Sequence, residues 1–273
     1  MNGKAVQTIV RKDLKVVFQN KGASTPIVVA PILVMGLLLP GVAALASKLG
    51  DMVTSGLTWL DKLIQVMPAG LQAALAGYNE TQRFIVIILV YGAAALYLLL
   101  PLVVVTAIAA DSFAGEKERK TLEALLHTPT TDGELLLGKL LSAWLPALGI
   151  TWGGFLLYTV TANLGAWPVM GRLFFPTTVW VILAVWVAPA MAALGLGAIV
   201  LISSRARTFQ EANGPTFLVI LPGLMLLASA ILGGMYSGAG VMALLGMGLW
   251  IIDAALLWFG RRRFQRSKLA LEM

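Results

Sequence analysis

Six apolar runs, each about twenty residues or longer and nearly free of charge, restrict this chain more than any other feature. They fall at about 25–47, 84–110, 143–164, 176–202, 215–233 and 240–260. A bilayer's hydrocarbon core is about 30 Å thick, and a helix rising 1.5 Å per residue needs about 20 residues to cross it. Lipid offers no water to an unpaired backbone group, so a spanning segment must satisfy its own donors and acceptors. Barrel strands alternate apolar and polar residues, whereas these runs are apolar on every side, so helices follow. The chain has 273 residues and only 12% are charged. Soluble domains carry about 25%. The expectation is an all-α polytopic membrane protein, a single transmembrane domain over residues 1–273 with six transmembrane helices.

Lysine and arginine then set the orientation. Sixteen fall in segments that six crossings place on one side: Lys4, Arg11, Lys12, Lys15 and Lys21; Lys117, Arg119, Lys120 and Lys139; Arg205 and Arg207; Arg261, Arg262, Arg263, Arg266 and Lys268. Four fall on the other: Lys48, Lys62, Arg83 and Arg172. That asymmetry places both termini in the cytoplasm, with the chain as a multi-pass protein of the cytoplasmic membrane. It also accounts for the net charge of +7 without nucleic acid, because the basic residues face anionic lipid.

Cysteine is absent and histidine occurs once, at His127. Disulfides, thiol catalysis and histidine or cysteine metal sites are thereby excluded. The first 24 residues are polar and the first apolar run has no cleavage site, so it is expected to stay as a membrane helix. Before it, residues 5–20 carry Val6, Ile9, Val10, Leu14, Val17 and Phe18 at helical spacing, with Arg11, Lys12, Lys15 and Gln19 opposite. A basic amphipathic helix of this kind lies in the headgroup plane. In the 48–83 connection, Val53, Leu57, Leu60, Leu63, Ile64 and Met67 suggest a second short amphipathic helix. Asn79-Glu80-Thr81 there spells a glycosylation sequon by chance. Pro31, Pro40, Pro101, Pro146, Pro189 and Pro222 lie within spans and each removes a backbone donor. They fit irregular packing and bistable helices equally.

Between the second and third runs lies a charged island, Asp111 to Pro129. Glu116 pairs with Lys120 and Arg119 with Glu123 at i,i+4 spacing, while Leu122, Leu125 and Leu126 share a face. Pro129 stops this helix. Thr131-Asp132-Gly133-Glu134 then reads as a capping box starting the helix into the third span. A charged helix with a leucine stripe has something to dock on, and no other part of the chain is large enough to receive it. A second protein is one reading, and a solvated loop kept out of lipid by its charges is the other.

The residue order separates them. Glu116-x-Glu118-Arg119-x-Thr121-Leu122-Glu123-x-Leu125-Leu126-x-x-Pro129, followed by Leu136-Leu137-Gly138-Lys139, resembles the signature of the membrane subunits of type-2 ABC (ATP-binding-cassette) exporters. Lys120 stands where that family usually has glycine. The resemblance implies that segment 111–141 carries a cytoplasmic coupling helix docking on a separate ABC ATPase subunit. Glu116, Glu118, Arg119, Thr121, Leu122, Glu123, Leu126 and Pro129 would be at or near that contact. It also implies two permease copies and two ATPase subunits per transporter, with ATP and Mg on the partner and no cofactor on this chain. A short re-entrant hairpin is implied where Gly233 to Gly240 stands.

Gly133-x-x-x-x-Gly138-Lys139 mimics a phosphate-binding loop, but Leu140 replaces the magnesium-binding hydroxyl and no strand precedes it. Asp253 is the one carboxylate well inside an expected span, which makes it a candidate for the transport path or for a structural hydrogen bond. Asp111 reads as a cap. Gly149-x-x-x-Gly153 and Gly234-x-x-x-Gly238 are weak helix-approach motifs. An intramembrane enzyme would need a nucleophile with a base, or metal ligands, at membrane depth, and these are missing. A passive anchor for a cytoplasmic partner needs the docking helix but no path. Polar residues within the spans are few, which favours a lipid-like or amphiphilic cargo over small ions.

Overall fold

The computed structural model describes residues 3–19, 28–50, 64–112, 131–203 and 237–263, with Thr25, Lys62, Gly233 and Met235. The elements among them are all helical: α1 (Gly3–Gln19), α2 (Val28–Leu49), α3 (Ala69–Leu75), α4 (Glu80–Ala110), α5 (Asp132–Met170), α6 (Thr178–Val200) and α7 (Ala239–Arg263). Five of them, α2, α4, α5, α6 and α7, are long and apolar enough to cross a membrane. The expected fifth span at 215–233, apart from Gly233, and docking residues Glu116 to Pro129 lie outside the described residues. So do Val53, Leu57, Leu60 and Leu63 of the 48–83 connection, where α3 is the described helix.

The third span departs from its expected limits of 143–164. The helix runs without interruption for 39 residues, about 58 Å at 1.5 Å per residue. Its start is the capping box: Glu134 N–H donates to Thr131 Oγ1 at 3.3 Å and Thr131 N–H to Glu134 Oε2 at 3.0 Å. Its end is Gly171 at φ 59, a left-handed cap whose N–H reaches Trp167 O. Neither Pro146 nor Pro168 breaks it. Apolar periodicity marks where a helix is lipid-exposed, and α5 continues past both limits. Asn79 is likewise a helix cap, forming a reciprocal box with Gln82 at the start of α4.

Helix α5 is the hub, packing against α1, α2, α4 and α6, while α6 packs on α4 and α7. Close crossings depend on glycines that the sequence pattern did not mark. A Cβ at Gly165 would stand 2.6 Å from the Pro40 carbonyl oxygen of α2, which is backbone and cannot turn aside. Around Gly149, Gly153 and Gly238, by contrast, a Cβ would meet nothing within 4 Å, so those spacings make no close crossing among the described residues.

Three π-helical stretches, Ile32–Leu38, Ile87–Gly92 and Leu183–Val187, lie inside α2, α4 and α6. A π turn shifts the hydrogen-bond ladder by one residue. Carbonyls in two of these stretches receive aromatic donors from neighbouring helices. Tyr158 Oη donates to Leu89 O and Trp180 Nε1 to Val90 O, both at 2.7 Å. Trp152 Nε1 donates to Ala184 O at 2.9 Å. Pro189, five residues after Ala184, has no N–H to offer that carbonyl. Tyr97, Phe155, Tyr158, Phe175 and Trp180 form one ring cluster between α4, α5 and α6. The 171–177 connection is pinned from within this layer. Asn163 Oδ1 accepts from Phe174 and Phe175 N–H, and its Nδ2 donates to Phe175 O at 2.6 Å.

Gly165→Ala is expected to lower the thermal midpoint of the purified protein. The backbone clash costs about 1–3 kcal/mol, which exceeds the gain of roughly 1 kcal/mol in helix propensity. Gly149→Ala and Gly153→Ala, tested in the same melting experiment, should leave the midpoint unchanged or raise it.

Candidate functional site

Asp111 follows Ala110 at the end of α4 with helical backbone angles, its N–H donating to the Ala107 and Ile108 carbonyls. The chain departs after Ser112 and returns at Thr131, so both roots of the charged island are described although the island is not. A buried polar cluster lies at these roots. On α1 the buried stripe is Val6, Ile9, Asp13 and Val17, at spacings of three and four, with Val10 and Leu14 half-buried beside it. Lys4, Arg11, Lys12 and Lys15 face outward. An acidic residue thus stands in the packed face of a basic helix, 5% exposed.

Asp13 reaches into the bundle. Its Oδ2 accepts from Ser112 Oγ and lies 3.2 Å from Ser142 Oγ, while its Oδ1 is 3.2 Å from Lys12 Nζ. Lys139, on α5, is fully buried. Its ammonium donates to the Ser112 backbone carbonyl at 2.6 Å and to Ser112 Oγ at 3.3 Å. The Ser142 hydroxyl is shared between Asp13 and the Lys139 carbonyl, 2.8 Å away. Next to Lys139, Gly138 lets α1 close in, since a Cβ there would meet Ile9 Cγ2 at 2.8 Å. The node joins α1, the end of α4 and the start of α5. A buried charge is costly unless paired and hydrogen-bonded, and breaking such a set typically costs about 3–5 kcal/mol.

One reading changes here: Lys139 is a buried main-chain anchor, not one of the lipid-facing basic residues. Asp13 is a node residue that the sequence reading did not single out. The signals were present: Asp13 sits four residues after Ile9 and four before Val17, and Lys139 lies four before Ala143, a fully buried position. A phosphate-loop role for Gly133–Lys139 is excluded by geometry, because the stretch is continuous helix and the lysine is committed to Ser112.

At depth in α7, Asp253 is 1% exposed and falls on the packed stripe Met242, Gly246, Leu249, Asp253. That stripe faces α6, where a Cβ at Gly246 would meet Trp186 and one at Gly197 would meet Leu256. Neither carboxylate oxygen has a hydrogen-bond partner among the described residues, nor has Trp250 Nε1 one turn earlier. The span hydroxyls are committed elsewhere: Thr106, Thr151 and Thr159 donate to carbonyls of their own helices. No cluster of three or more metal-ligating side chains occurs among the described residues.

The fold defines a multi-pass, α-helical membrane protein. The profile of the ABC-2 family transporter proteins matches residues 7–257. The match runs from within α1 to six residues before the end of α7 and so includes both the polar node and Asp253; the chain belongs to this family of transporter membrane components. No curated protein sequence matches it significantly.

Asp253→Leu is expected to stabilise the protein, because it removes a buried carboxylate with no partner in an apolar stripe. Such a group costs about 1–3 kcal/mol. A rise of several degrees in the melting midpoint would bear this out, and a fall would show that Asp253 is held by a partner.

Proposed function

We propose that the chain is the permease subunit of an ATP-driven exporter and receives its energy from a separate ABC ATPase. The observation that carries this reading is the polar node at the roots of the charged island. A loop meant only to stay out of lipid needs no buried, charge-bearing clamp at its ends; a loop that takes load does. Glu116, Glu118, Arg119, Thr121, Leu122, Glu123, Leu126 and Pro129 supply the docking contact on a coupling helix. ATP and Mg bind the partner, and this chain carries no catalytic site of its own.

In the proposed arrangement residues 215–233 form a fifth span, giving six, with a short re-entrant element at 233–240. Helix α1 lies at the lipid interface with its basic face toward anionic headgroups. Both termini are cytoplasmic and the membrane is the cell membrane; the lysine and arginine asymmetry supports this even with Lys139 set aside. A second permease copy completes the path, with Asp253 along it. The scarcity of free polar side chains in the spans favours an amphiphilic or lipid-like substrate.

Co-purification tests the reading. An ATPase subunit is expected to remain bound to the wild-type chain through detergent extraction, and to be lost by at least tenfold from a Glu118→Ala, Arg119→Ala, Glu123→Ala variant. A wild-type chain that purifies intact without an ATPase, or a variant that retains it fully, would overturn the assignment.

A further inference from the structure

We infer that Asp13, Ser112 and Lys139 are positioning residues that lock α1, the end of α4 and the start of α5 into one rigid body. Through that body, displacement of residues 113–130 enters the bundle. The second half of this inference rests on the docking proposed above; the first half does not.

Three features of the node argue for a lock rather than ordinary packing. First, Lys139 holds a backbone carbonyl, that of Ser112, two residues beyond the end of α4. A side-chain contact there could swing on its own rotamers, whereas a contact on the main chain moves the chain. Second, Ser112 Oγ accepts from the ammonium and donates to Asp13, so the cation on α5 and the anion on α1 are tied through a residue at the end of α4. Directional bonds to buried charges resist sliding, because any slip leaves a charge unpaired in an apolar setting. Third, the steric fit of Ile9 against Gly138 fixes α1 along α5 one residue from the anchor. Apolar neighbours complete the seal, with Val17, Ile108, Ala109, Ala110, Leu136 and Ala143 in one buried cluster.

Pull or tilt on the island then cannot straighten the end of α4 alone. It must carry α1 and the first turns of α5 with it. Since α5 also packs on α2, α4 and α6, a movement at its start is delivered to most of the bundle. The island needs no long lever of its own; α5, at 39 residues, is the lever.

The chain has no cysteine, so introduced cysteines are unique labelling points. Spin labels at Arg11→Cys on α1 and Leu96→Cys on α4 report the lock. Labels at Leu96→Cys and Leu244→Cys on α7 report motion passed to the far side; all three positions are exposed. In the isolated chain the first pair should give a narrow distance distribution. Lys139→Met should broaden it roughly twofold, whereas Lys15→Ala, which removes an exposed charge on α1, should not. The double variant Asp13→Asn, Lys139→Met removes both buried charges together and so guards against simple misfolding. In the complex with its ATPase, ATP and Mg2+ should leave the first distance unchanged and shift the second. The double variant should keep the bound ATPase and its hydrolysis yet lose more than half of the second shift. A narrow first distance in Lys139→Met, or a full second shift in the double variant, would overturn the inference. If no ATPase accompanies the wild-type chain, the docking reading falls and transmission falls with it, while the first pair still decides whether the node is a lock.

Discussion

Backbone polar groups in hydrocarbon have no solvent to fall back on, and the rest of this structure follows from where their hydrogen bonds go. Unbroken helices solve most of the problem. The remainder arises at the prolines and at the π turns, where a carbonyl loses its usual donor. Here aromatic side chains from neighbouring helices add donors: Trp152 serves Ala184, whose carbonyl Pro189 cannot reach, and Tyr158 and Trp180 reach Leu89 and Val90 in the π stretch of α4. The span irregularities and the aromatic cluster are therefore one arrangement. In α4 and α6 the irregular turns are matched to donors on particular neighbours, and that matching fixes helix rotation more tightly than apolar contact could, because lipid tails are as apolar as leucine.

The same accounting explains which features were legible from residue order. Span positions follow from composition averaged over twenty residues, and four of the five described spans fall close to their expected places. The capping box at Thr131 and Glu134 was also legible, because capping depends on residues three apart in sequence. Helix α5 starts at the expected capping box and runs past the apolar stretch read as the third span, since its ends leave the apolar zone while its hydrogen bonding continues. Crossing glycines were not legible either. Gly165 and Gly138 are set by which helix lies opposite, whereas the Gly149-x-x-x-Gly153 spacing is a local pattern with no partner among the described residues. The node joins residues 27 to 129 apart in sequence, a tertiary fact that no local period reports. Residues Glu116 to Pro129, whose order carried the family resemblance, owe their legibility to motif alone.

Two buried carboxylates show what these rules permit. Asp13 and Asp253 are 5% and 1% exposed, yet their surroundings are opposites. Asp13 is surrounded by donors on three elements, and its burial is offset wherever those elements stay together. Its environment therefore rewards one arrangement and penalises any that separates α1 from α4 and α5. Asp253 has no partner in the described residues, and it sits on the stripe by which α7 packs against α6. That packing gains apolar burial and leaves a carboxylate unsatisfied, so a parting of α6 and α7 that admitted water or a polar group would recover part of the cost. The closed α6–α7 contact is weakened from within at one point, while the α1–α4–α5 junction is reinforced at another. Under the proposed function this is the division a driven transporter needs: stiffness where force arrives, and a contact held with little surplus where a path has to open.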